Sequence, residues 1–148
     1  MKSLVAYFSA GGVTAGVAKA VAEAKGADLF EIRPVKPYTS ADINYLNPLS
    51  RCNREKLGNK DVPVEGSVTN MAEYDTIYVG FPIWYGCAPN VVNTFLKAYD
   101  LRGKKLVVFA TSGGSGIGKT AEKLAPFVPG AEIVTAQMVQ TPADAASL

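Results

Sequence analysis

Residues 77–99 read IYVGFPIWYGCAPNVVNTFLKAY, and the order of their parts decides the fold. Residues 77–81 are an apolar run of β-branched and aromatic side chains around one glycine, the composition of a buried strand. The run ends at Pro82 and passes through a turn holding Trp84, Tyr85, Gly86 and Cys87. Apolar residues then resume at Val91, Val92, Phe95, Leu96 and Tyr99, a spacing that places them on one stripe of a helix. Strand, loop and helix in that order make up most of a βαβ unit.

The same grammar recurs on either side. Upstream, the apolar run 4–8 enters the loop from Ser9 to Thr14, after which Val17, Val21 and Ala24 share one helical face. Downstream, the run 106–110 enters Thr111-Ser112-Gly113-Gly114-Ser115-Gly116-Ile117-Gly118, followed by a shorter helix predicted to end at about Ala125, before Pro126. Two more strands are expected at 28–32 and 132–136. Near-continuous apolar strands alternating with helices require a parallel sheet covered on both faces. With right-handed crossovers, the expectation is a three-layer, doubly wound α/β fold around five strands.

Length and composition fit one domain over 1–148. The chain has 148 residues, 48% hydrophobic and 19% charged, enough to bury a core without disulfide staples. It contains no histidine, so Ser-His-Asp and Cys-His nucleophiles, His-ligated zinc and an imidazole pH switch are all excluded. Cys52 and Cys87 are too few for a disulfide scaffold or a four-cysteine zinc site, and read as reduced thiols of a cytoplasmic protein. The net charge is +2, and Lys and Arg are scattered singly, with Arg51, Arg54, Lys56 and Lys60 the densest set. Nucleic-acid binding therefore has no electrostatic footprint.

Neither uncharged stretch reads as a membrane or targeting segment. Residues 76–96 are interrupted by Pro82, Pro89, Gly80, Gly86, Asn90 and Asn93. Residues 3–18 begin like a signal peptide, but Ser9, Gly11, Gly12 and Thr14 break the run where its apolar region would continue. No membrane association is expected.

Two regions are less regular. Residues 33–73 show no strand pattern and contain Pro34, Pro37, Pro48 and Pro63. A bare loop of that length is unusual in a compact domain, so short helices are expected, capped by Thr39 or Ser40 and by Ser50 and reaching Leu46 and Leu57. After the last strand only residues 141–148 remain, with Thr141 as N-cap and Pro142 at the first helical position. A closing helix is then short or truncated, or else Val17 and Val21 are partly exposed.

In an open α/β sheet the ligand sits outside the carboxyl ends of the strands, where strand order reverses. All three distinctive loops follow strands, so they meet there. Ser9, Ala10, Gly11, Gly12, Val13 and Thr14 offer two hydroxyls, glycines for close approach and amides at a helix N-terminus, which together suit an anion. Pro82, Ile83, Trp84, Tyr85 and Gly86 put two large aromatic faces beside the same crevice, suited to a planar ring. Ser112, Gly113, Gly114 and Ser115 let a flat group approach the backbone. A rival reading exists, because residues 113–120 spell GGSGIGKT, a full nucleotide-binding P-loop pattern between a strand and a helix. Against it, no later strand ends in an Asp for magnesium, and the first two loops would have no role.

Together YFSAGGVT, YDTIYVGFPIWYGCAPNVVNTFL and FATSGGSGIG resemble the short-chain flavodoxin-like FMN proteins, over about residues 2–140. ADLFEIRPVKPYT and SRCNRE fit the same subgroup. The resemblance implies strand order 2-1-3-4-5 and one non-covalent FMN. By position, Ser9 to Thr14 would take the ribityl phosphate, Pro82 to Gly86 would flank the isoalloxazine, and Ser112 to Ser115 would line its pyrimidine edge. The family loop usually reads Ser-x-Thr-Gly-Asn-Thr. Here Gly11 and Val13 replace the Thr and the Asn, removing one hydroxyl and one amide side chain, each worth about 0.5 to 1.5 kcal/mol as a hydrogen bond.

On this reading the flavin carries the chemistry and no protein acid or base is needed. Gly86 lets a peptide of the second loop turn its carbonyl toward flavin N5. The expected function is electron transfer to a redox partner protein or a small acceptor, by a monomer or weak homodimer. The alternative is an FMN-dependent NAD(P)H:quinone-type oxidoreductase. The small positive charge gives little steering toward a basic partner surface.

Overall fold

The computed structural model describes residues 2–9, 12–34, 64–83, 88–111 and 120–139. Its main sheet has five strands, all paired in parallel. They are β1 (Lys2–Tyr7), β2 (Asp28–Glu31), β5 (Tyr74–Pro82), β6 (Lys105–Thr111) and β7 (Glu132–Met138), in the spatial order β2-β1-β5-β6-β7.

The expected order 2-1-3-4-5 needs correction in its numbering. Two strands absent from the sequence reading, β3 (Arg33–Pro34) and β4 (Val64–Glu65), pair antiparallel in a ribbon of their own, with Arg33 opposite Glu65 and Pro34 opposite Val64. Each has only two residues, and β3 ends in a proline, so both are too short for any periodicity to register. The ribbon brings together the two ends of the long connection. The helices expected within that connection lie outside the described residues.

Alternation along β1 explains why its sequence is apolar throughout. Leu4, Ala6 and Phe8 point into one core cluster and Val5 and Tyr7 into another, as a strand with period two requires. Helix α1 (Val13–Lys25) packs Val17, Ala18 and Val21 against Val5, Tyr7, Phe109 and Val139. Val17 and Val21 are fully buried, so the partial exposure offered as one alternative is not observed. Helix α2 (Asn90–Lys97) buries Val91, Val92, Phe95 and Leu96 in the larger cluster, which also holds Leu124 of α3 (Thr120–Leu124).

Helix α3 ends at Leu124, ahead of Pro126 as expected, and the chain goes on turning past it. A 3₁₀ turn over Ala125–Phe127 carries the proline among its first residues, where a missing N–H costs nothing. Among the described residues no helix is long and apolar enough to cross a membrane.

Candidate functional site

The chain runs from β1 outward to β2 and later returns to the other side of β1 as β5. Strand order therefore reverses at the β1/β5 boundary, where open α/β sheets place their ligand. Two backbone bonds hold the strand ends in step there. The Phe8 N–H donates to the Gly80 carbonyl at 2.9 Å, and the Ile83 N–H to the Thr111 carbonyl at 2.9 Å. The first, second and third loops thus leave from adjacent strands.

Of the first loop, Ser9 and Gly12 are described, and Val13 and Thr14 open α1. The Ser9 hydroxyl accepts the Gly12 N–H at 3.0 Å, closing the turn. Gly12 has φ of +90°, a left-handed conformation that favours glycine, and no described atom lies within 4 Å of where its Cβ would be. The Gly12 carbonyl accepts the first helical bond, from Gly16 at 3.2 Å, which leaves the preceding amides of α1 without helical acceptors. The helix has no side-chain cap bond and no acidic residue in its first turn, whereas Lys25 lies in its last. Thr14, weighed as a capping residue and as a phosphate donor, does not cap. Its hydroxyl is buried, 2.8 Å from that of Thr111.

This donor set fits a phosphate. It combines a hydroxyl, a turn opened by glycine and the uncapped positive end of a helix dipole with no acidic residue in its first turn. Of the second loop, Pro82 ends β5 half-buried and Ile83 is buried. Ala10, Gly11, Trp84, Tyr85 and Gly86 lie outside the described residues, as do Ser112, Gly113, Gly114 and Ser115.

Tyr7 ends β1 beside these loops. Burial, reinforced by the Glu31 carboxylate, raises its phenol above the ordinary value, so it stays neutral at physiological pH. Glu31 is itself paired with Arg33 at 2.8 Å. Thr111, expected to open the third loop and not counted among the site residues, is the last residue of β6; its one local signal is a hydroxyl ending an apolar strand. The rival nucleotide pattern gains nothing from Thr120, whose hydroxyl would have to reach a metal, because that residue is fully buried. No group of acidic or cysteine side chains suited to a metal ion occurs among the described residues.

A parallel α/β sheet with an anion-type helix terminus at its switch point is an arrangement suited to a phosphorylated ligand at the strand ends. The particular family follows from comparison. The Flavodoxin family profile matches residues 2–147, and the chain belongs to that family. It is similar to a candidate flavoprotein from Bacteroides uniformis ATCC 8492, with 39% identity, TM-score 0.93 and coverage of 99% of this chain and 96% of the other. A candidate flavoprotein from Bacteroides eggerthii DSM 20697 gives 37% identity, TM-score 0.89 and coverage of 99% and 94%. A flavoprotein in complex with FMN from Lactobacillus acidophilus NCFM shares the fold, at 23% identity, TM-score 0.74 and 99% coverage of both chains. No curated protein is matched by the sequence.

Proposed function

We propose that the chain binds FMN without a covalent link and transfers electrons through it. The observation that carries this reading is the first loop. Ser9, Gly12 and the start of α1 form a donor set suited to a phosphate, at the switch point of a flavodoxin-family sheet. The FMN complex of the L. acidophilus protein, which shares the fold, supports the choice of ligand.

FMN would supply the redox chemistry when bound. The protein's part is to hold and orient it. Ser9 and the first amides of α1 would hold the phosphate, with Ala10, Gly11, Val13 and Thr14 completing that segment. Pro82, Ile83, Trp84, Tyr85 and Gly86 are assigned to the ring faces, and Ser112, Gly113, Gly114 and Ser115 to the pyrimidine edge. Placement of α1 against one core cluster, and of α2 and α3 against the other, supports the three-layer reading of the fold.

The proposed partner is a redox protein or a small electron acceptor, and the proposed setting is the cytoplasm, in keeping with a chain of two cysteines. The test is reduction of the FMN-loaded protein. Reduction only through a partner reductase supports the carrier. Steady NAD(P)H turnover with an added quinone would replace it with the oxidoreductase.

A further inference from the structure

Thr111 joins the three loops. Its hydroxyl lies 2.8 Å from that of Thr14 at the start of α1, although 97 residues separate the two. Its carbonyl accepts the Ile83 N–H just past the end of β5. It is also the last residue of β6, directly before Ser112. Thr111 and Thr14 are 4% and 2% exposed, so little water competes for the hydroxyl pair, and removing one partner leaves the other buried with a bond unmade.

We propose that Thr111 is a positioning residue for the phosphate end of the site. Its hydroxyl, through Thr14, clasps the first turn of α1 to the end of β6. The inference rests on the reading that FMN phosphate is held at that turn. Amide donors serve an anion best when they are already aimed at it, because ordering them during binding costs affinity. Helix α1 reaches β6 across intervening strands, and a hydrogen bond at its first turn fixes the donors at the point where their direction matters. The two bonds of Thr111 also divide by ligand part. Its side chain reaches the phosphate segment, while its carbonyl holds Ile83 of the ring segment. Thr111→Val keeps the shape and the carbonyl and removes the hydroxyl alone.

The experiment is titration with FMN and, in parallel, riboflavin, followed by flavin fluorescence. Thr111→Val is expected to weaken FMN binding about three- to tenfold, the scale of one buried hydrogen bond, with riboflavin affinity held within about twofold of wild type. Thr111→Ser keeps the hydroxyl and is expected to bind FMN like wild type. Thr14→Val breaks the same bond from its other end and serves if Thr111→Val does not fold. The double variant is expected to bind FMN no more weakly than the weaker single variant. Unchanged FMN affinity in Thr111→Val, an equal loss for riboflavin, or full addition of the two single effects would each overturn the clasp. Wild-type protein that binds neither flavin would overturn the FMN reading and the clasp with it, a result the wild-type titration alone distinguishes.

Discussion

At Gly80 the space for a side chain is already taken. A Cβ there would lie 2.2 Å from Phe109 Cζ and 2.3 Å from Cε2. The register sets Gly80 opposite Phe109 on one side and Tyr7 on the other, and the Phe109 ring fills the core under α1 together with Val17 and Val21. The glycine is needed for the ring's volume, since Gly80 is not among the positive-φ glycines. Gly80→Ala is expected to cost about 1–3 kcal/mol by overpacking, measured by urea denaturation. Adding Phe109→Leu should recover part of that loss, and full stability in Gly80→Ala alone would contradict the packing. In the sequence Gly80 is only a gap in an apolar run. Its reason lies on a different strand, as does the reason for Thr14, and residue-by-residue reading does not reach across a sheet register.

Elements were legible where one face repeats. Val91, Val92, Phe95 and Leu96 mark the buried side of α2 in the sequence, and those four are buried. Phe95 stacks on Phe30 of β2, with ring centroids 5.5 Å apart, and meets the Tyr99 ring in a tilted contact at 5.0 Å. Phe95→Ala is therefore expected to cost about 3–5 kcal/mol, readable in the same denaturation assay, with α2 detaching from β2. Strand β5 starts earlier than its apolar run suggests, because Tyr74 is held by polar bonds that leave no hydrophobic pattern. Its hydroxyl donates to Asp28 at 2.7 Å, and its carbonyl accepts from Lys104.

The bond to the Asp28 carboxylate, then burial, raises the Tyr74 phenol above its ordinary value of about 10. The folded state thus holds this proton more tightly than the unfolded chain. The resulting stability is complete below about pH 10 and is lost as pH rises through the raised value. Thermal melts of wild type should fall above pH 10, and those of Tyr74→Phe should fall less steeply. Tyr7, shifted in the same direction, keeps some slope in the variant. Equal slopes in both proteins would contradict the Tyr74–Asp28 bond as the cause.

For the whole molecule, the repeated strand-loop-helix grammar carried the parallel sheet and its switch point, because each unit is local. The ribbon β3–β4 and the Thr14–Thr111 pair were not legible, because both depend on residues far apart in the chain. The absence of histidine agrees with a protein whose reactivity comes from a bound group. FMN held by its phosphate at the start of α1 underlies the proposed function. Its most direct test is the visible spectrum of the purified protein during titration with FMN, then with riboflavin. One FMN per chain is expected, with shifted flavin bands and weaker binding of riboflavin. No FMN binding, with magnesium-dependent nucleotide binding in its place, would contradict the proposed function.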